Sequence, residues 1–168
     1  MPSQPKKSKR KTKKTSSDLG KKSRVLIFLR RGTRSFVDKA QFSKNAENAF
    51  EILRSNIFPE REGYVEVTFC LDREMKNINK EFRNKDKATD VLSFPSDFLN
   101  DKKVPTLGDI LISVETAKRQ SKDLKLELIK LFNHGILHLL GFDHENVSQK
   151  ERQKMKRWER KLLKLLSS

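Results

Sequence analysis

Asp123-Leu124-Lys125-Leu126-Glu127-Leu128-Ile129-Lys130-Leu131-Phe132-Asn133-His134-Gly135-Ile136-Leu137-His138-Leu139-Leu140-Gly141-Phe142-Asp143-His144 decides how this chain reads. Between Asp123 and Leu140 the apolar residues cover most of a helical circumference, which predicts a largely buried helix. Gly141 is placed to end that helix in the left-handed conformation. The chain has three histidines, His134, His138 and His144, and all fall within eleven residues of this stretch. His134 and His138 are four apart on one helical face, so both rings reach a single ion. The break at Gly141 lets the chain turn back and offer His144 to that ion from another direction. Three neutral imidazoles suit one Zn²⁺ per chain and keep a fourth position open for water, the pattern of catalytic sites.

The spacing His-x-x-x-His-x-x-Gly-x-x-His is that of the metzincin peptidases, which makes a zinc metallopeptidase-like hydrolase the first competing reading. In those enzymes a glutamate follows the first histidine as general base, whereas here Gly135 stands there and has no side chain to take a proton. A glycine inside a helix costs about 1 kcal/mol relative to alanine, so Gly135 is expected to mark close approach of another backbone or of a substrate. The second competing reading is a nonenzymatic protein with a structural zinc, whose closed site takes a fourth ligand from Asp143 or Cys70.

Outward from the histidine helix, Arg24 to Arg30 reads as a strand and Asp38 to Ser55 as a helix. Tyr64 to Leu71 reads as a second strand, after which Asp72 caps a helix carrying Met75, Ile78, Asn79 and Phe82. Asp90 to Phe94 and Gly108 to Val114 are two further short strands, with irregular chain between Ser96 and Thr106. A closing helix starts at Ser148, paired with Glu151 as a capping box. Trp158 and the phenylalanines are expected to pack inward. The architecture is α+β: one domain with a small mixed sheet of about four strands, packed by helices, with the metal-ligand helix buried.

Of 168 residues, 38 are Lys or Arg against 22 Asp or Glu, for a net charge of +16 with the histidines neutral. Ten basic residues and one acid, Asp18, lie in Met1 to Arg24, which reads as a disordered basic arm over residues 1–22 ahead of a folded domain over 23–168. The arm is lysine-rich without an apolar face, unlike a mitochondrial presequence. Two readings of it stand side by side, contact with RNA phosphates by counterion release or a solvated tail without consequence. Lys150 to Lys164 holds eight Lys or Arg beside Glu151 and Glu159, read as the charged outer face of an amphipathic helix. No apolar run approaches the roughly 18 residues of a membrane span. The single cysteine, Cys70, forms no internal disulfide, and the reducing cytoplasm is the expected compartment.

Three blocks carry a resemblance to a known family. His134-Gly135-Ile136-Leu137-His138-Leu139-Leu140-Gly141-Phe142-Asp143-His144 resembles the signature of the YbeY family. Asn79-Lys80-Glu81-Phe82-Arg83-Asn84-Lys85-Asp86-Lys87-Ala88-Thr89-Asp90-Val91-Leu92-Ser93-Phe94-Pro95 is similar to its upstream segment, and Leu107-Gly108-Asp109-Ile110-Leu111-Ile112 to its Gly-Asp strand. Ala88 stands where the family commonly has proline. The resemblance covers about residues 24 to 168 and implies a metallohydrolase, zincin-like arrangement with zinc on His134, His138 and His144. It further implies single-strand-specific, metal-dependent endoribonuclease activity in ribosomal RNA processing (late 16S rRNA 3′-end maturation) and ribosome quality control, with ribosomal RNA and the small ribosomal subunit as partners; the nonenzymatic alternative becomes, on the same resemblance, a ribosome-assembly factor with a structural zinc. Arg83 is then the residue that contributes to RNA cleavage, and Lys85 and Lys87 guide the RNA backbone. Asp109 and Asp143 are candidates for orienting a ligand histidine or relaying a proton, since metal-bound imidazoles donate their second N–H to a carboxylate or carbonyl.

Overall fold

Four strands rich in β-branched and aromatic residues form one sheet: β1 (Val25–Leu29), β2 (Tyr64–Cys70), β3 (Val91–Pro95) and β4 (Thr106–Ser113). The computed structural model describes residues 24–57, 63–96, 106–142 and 148–166, so the basic arm, Asp143 and His144 lie outside the described residues. The strand order is β1-β2-β4-β3, with β1, β2 and β4 parallel and β3 antiparallel to β4. Pro95, which has no backbone donor, closes the edge strand β3 opposite Gly108. The parallel pair β1–β2 needs a crossover, supplied by helix α1 (Lys39–Ile57). Helices α2 (Asp72–Arg83), α3 (Val114–Gln120), α4 (Leu124–Leu139) and α5 (Gln149–Leu166) complete an α+β domain.

Alternation along the strands divides the core by face. Val65, Val67 and Phe69 of β2 and Ile110 and Ile112 of β4 join α1, α4 and α5 in the main cluster. Phe42 of α1 meets Phe69 edge-on at 4.9 Å and Phe132 of α4 at 5.8 Å between ring centres, which fixes the ligand helix against the sheet. On the opposite face Cys70 and Leu92 pack with Met75 of α2 in a second, smaller cluster.

Local chemistry sets the ends of these elements. The Asp123 carboxylate accepts from the Leu126 N–H at the start of α4, and Ser148 and Glu151 exchange hydrogen bonds at the start of α5 as the capping box requires. Gly141 adopts φ +85°, and the Phe142 N–H donates back to the Leu137 carbonyl at 3.0 Å, so the expected left-handed stop is present.

Four expectations need correction. Leu71, not Asp72, holds the cap position of α2; the Asp72 carboxylate instead accepts from the Thr116 hydroxyl at 2.7 Å and Arg119 Nη2 at 2.6 Å, tying α2 to α3. Helix α3 was not expected, because seven residues with Val114 and Ala117 alone buried are too few to display a period. Phe28 and Phe82 do not pack inward: they are 46% and 63% exposed. A Cβ on Gly135 would lie 2.9 Å from Ile110 Cγ2 and 3.1 Å from Ser93 Oγ, so the close approach there is made by side chains of β4 and β3, not by a backbone or a substrate.

Candidate active site

The buried stripe of α4 holds the helix on the sheet and leaves His134 and His138 on its flank. Their rings meet at 4.5 Å between centres, and the two Nε2 atoms stand 3.0 Å apart. Two imidazole nitrogens sharing one zinc, each about 2.0–2.1 Å from it, stand within about 4 Å of one another, and this pair satisfies that condition. Among the described residues no group of three His, Cys, Asp or Glu side chains is gathered to hold a metal, and His144 lies outside them.

The ring of His134 is fixed from behind. Its Nδ1 lies 2.8 Å from Glu159 Oε1 of α5, and an ionised carboxylate only accepts, so Nδ1 carries the proton. In the neutral ring Nε2 is then the atom with the lone pair, and it faces His138. The sequence alone points to Asp109 and Asp143 for this carboxylate and places Glu159 on the charged outer face of the closing helix. A signal for it existed: Met155, Glu159 and Leu162 follow helical spacing, and Met155 and Leu162 are both fully buried. Asp109 sits on β4 next to Ile110, whose side chain touches the α4 face, so alternation turns the Asp109 carboxylate to the other side of the sheet. It is exposed there, and partial desolvation by the surrounding chain raises its pKa.

Arg83 and Lys85 arrive from the opposite wall. Asn84 follows α2 in the left-handed conformation at φ 58°, turning the chain back. The buried Asn79 side chain donates to the Lys87 carbonyl at 2.7 Å, and the Asn79 main-chain carbonyl accepts from the Lys85 N–H, pinning the returning loop. Lys76 and Lys80 add ion pairs to Asp86 at 3.6 and 3.5 Å. The result is a cleft of about 790 Å³ in which Arg83 and Lys85 share the lining with His134, His138, Ser93 and Asp90. Lys87 is exposed on the same loop and outside that lining. Cys70 is buried under α2, on the face of the sheet away from the histidines, where burial pushes its thiol up to about 12. It is neither a nucleophile nor a candidate for a fourth ligand.

A family model described as endoribonuclease YbeY matches residues 29–167. The chain belongs to the YbeY family. A protein of Persephonella marina named endoribonuclease YbeY is 43% identical over 138 residues, covering 79% of this chain and 85% of its own. One of Aquifex aeolicus with the same name is 39% identical over 145 residues, covering 82% and 89%. Among solved structures, a Thermotoga maritima protein determined in solution superimposes with a TM-score of 0.51 at 27% identity, covering 82% of this chain and 88% of that one. In this YbeY chain the matched span contains the histidine pair, Glu159, Arg83 and Lys85.

Proposed function

We propose that this chain is a metal-dependent endoribonuclease that cuts single-stranded RNA during ribosomal RNA processing and ribosome quality control in the cytoplasm, acting on ribosomal RNA of the small subunit. The observation that carries the reading is the pair of Nε2 atoms 3.0 Å apart in a cleft that Arg83 and Lys85 also line. The name endoribonuclease borne by the relatives supports it. We read the ligand helix laid under a mixed sheet as a zincin-like arrangement, with one zinc held by His134, His138 and His144. When bound, such an ion supplies activation of water near neutral pH and polarisation of a phosphoryl oxygen.

The protein's own groups do the rest. Glu159 holds His134 with Nε2 turned toward His138. The Arg83 guanidinium clamps nonbridging phosphate oxygens with two N–H donors and stabilises the charge that develops there. Lys85 draws the backbone into the cleft as a point charge, and Lys87 meets the strand at the loop outside it. The helix position after His134 supplies no base, because the space beside Gly135 is filled by Ile110 and Ser93.

The test is cleavage of a precursor ribosomal RNA fragment by the zinc-loaded protein beside His138→Ala and Arg83→Ala, with metal content measured on the same samples. Both variants are expected to lose cleavage by about 10²-fold or more, and only the histidine variant to lose metal. Equal cleavage by all three would trace the activity to a contaminant and end this reading.

A further inference from the structure

Where α5 meets His134, a second cavity of about 310 Å³ opens between β3, α4 and α5, without Arg83 in its lining. It shares Asp90, Val91 and His134 with the cleft, so the two form one path with His134 on their common wall. Its size lies at the lower end of ligand clefts, roughly 300–1,000 Å³. Val91, Leu131 and Leu163 give it apolar sides, and Lys130 and Asn133 give it polar ones.

Asn133 is the informative residue. It is 1% exposed, and neither Nδ2 nor Oδ1 of its carboxamide has a hydrogen-bond partner among the described residues. A buried amide without a partner is a net cost that leucine at the same helix position would avoid. The surrounding polar groups are already engaged: Asp90 accepts from the Val91 N–H and from Gln120 Nε2, Glu159 accepts from His134, and Lys130 pairs with Glu127 at 3.7 Å. The carboxamide of Asn133 remains, its two donors and one acceptor lying just under the cavity wall, so that a ligand reaches them by a turn of this side chain.

A nucleobase presents adjacent donors and acceptors along its Watson–Crick edge on a flat apolar body, which is the complement of an amide set among aliphatic walls. We propose that this cavity receives one unstacked base of the RNA, adjacent to the phosphate held at Arg83, and that Asn133 reads its edge. The strand then passes over His134 with phosphate on one side and base on the other. A base paired within a duplex has its edge occupied and cannot enter, so the pocket itself selects single strands. This inference rests on the endoribonuclease reading.

The experiment has two arms, both with the full zinc-loaded chain. In the first, four single-stranded RNAs differing only in the nucleotide beside a mapped cut are compared by kcat/KM for the native protein, Asn133→Leu and Lys130→Met. We expect the native protein to prefer one base by about tenfold and Asn133→Leu to bring the ratio to within about twofold at unchanged zinc content. Lys130→Met, at the exposed rim, should shift the same ratio if the leucine variant fails to fold. In the second, the side-chain amide resonance of Asn133 is followed as each of the four ribonucleoside monophosphates is added. It should move with the preferred nucleotide and least with the others. An amide unmoved by all four, or a base ratio identical in the native and variant proteins, would overturn the pocket. Absence of any cleavage by the native protein would end the endoribonuclease reading instead, and the amide shift alone would then decide the pocket.

Discussion

A single proton explains why His134 is more than one of two neighbouring rings. With Nδ1–H committed to Glu159, a neutral His134 accepts at Nε2, so the 3.0 Å contact with His138 is one in which His138 Nε2 donates. A ring freed from Glu159 would lose both its orientation and its tautomer. Glu159→Ala is therefore expected to weaken zinc binding by about 10–100-fold, measured by competition with a chelator, and Glu159→Gln to lose less because its carbonyl oxygen still accepts. Zinc held by the alanine variant as tightly as by the native protein would remove Glu159 from the site. At Arg83, lysine keeps the charge and loses the two-pronged geometry, so Arg83→Lys should cleave RNA at a rate between the native and alanine proteins; a lysine variant as slow as alanine would make the fork, not the charge, the whole contribution. His134, His138 and Gly141 were legible in the sequence because their meaning is local, carried by i, i+4 spacing or a helix stop, whereas Arg83 came from the family resemblance alone. Glu159 was not: 25 residues separate it from His134, and the packing of α5 on α4 alone brings them together.

Elements show the same division between local and distant information. All four strands were read within about two residues of their observed limits, since period-2 patterns and turn residues announce them, and so were helices α1 and α4 and the starts of α2 and α5. The parallel order β1-β2-β4 was not legible, because register depends on which apolar faces meet after folding. Nor was the link between α2 and α3 at Asp72. Burial pushes that carboxyl upward, but hydrogen bonds from Ser113, Thr116 and Arg119 outweigh it and hold it below the usual carboxylate range. A pKa lower in the folded than in the unfolded chain stabilises above the unfolded value, near 3.9, and the contribution fades as pH falls through the folded one. Asp72→Asn should then be less stable than the native protein at pH 6, by about 1 kcal/mol in urea denaturation, with the gap closing below about pH 4. A gap constant across that window would mean that the carboxylate charge does not matter. Gly108 sets a stricter limit where β4 meets the edge strand: φ is +132°, and a Cβ would fall 2.2 Å from the Phe94 carbonyl oxygen. Backbone cannot yield as a side chain does, so Gly108→Ala should lower stability by about 2 kcal/mol or more, read as a lower melting temperature with β3 amides losing protection first.

Across the whole molecule, charge is distributed as a nucleic-acid-binding chain distributes it. No described helix is long and apolar enough to cross a membrane, and nearly all of the net charge of +16 is borne by residues 1–24 and by α5, while Lys85 and Lys87 after α2 are offset by Asp86 and Asp90 and leave Arg83 as that region's surplus cation. Each makes a different contribution to binding. Arg83 and Lys85 face a fixed cleft, so their contacts should depend on where the strand lies. Residues 1–22 hold nine Lys or Arg against Asp18 alone and no sizeable apolar surface, so any attraction they exert is to phosphate wherever it is. Such contacts act by releasing condensed counterions, which gives them a signature that cleft contacts share only in proportion to their number. For single-stranded RNA the slope of log K against log salt is about −0.7 per phosphate neutralised. Deleting residues 1–22 should therefore make that slope shallower by about 0.7 for every contact given up, weaken binding most at low salt, and leave the melting temperature and the base preference at the cut unchanged. Binding isotherms at four salt concentrations, full-length against truncated, measure it. Parallel lines would mean that the arm touches no phosphate and that the cleft and α5 account for all of the affinity.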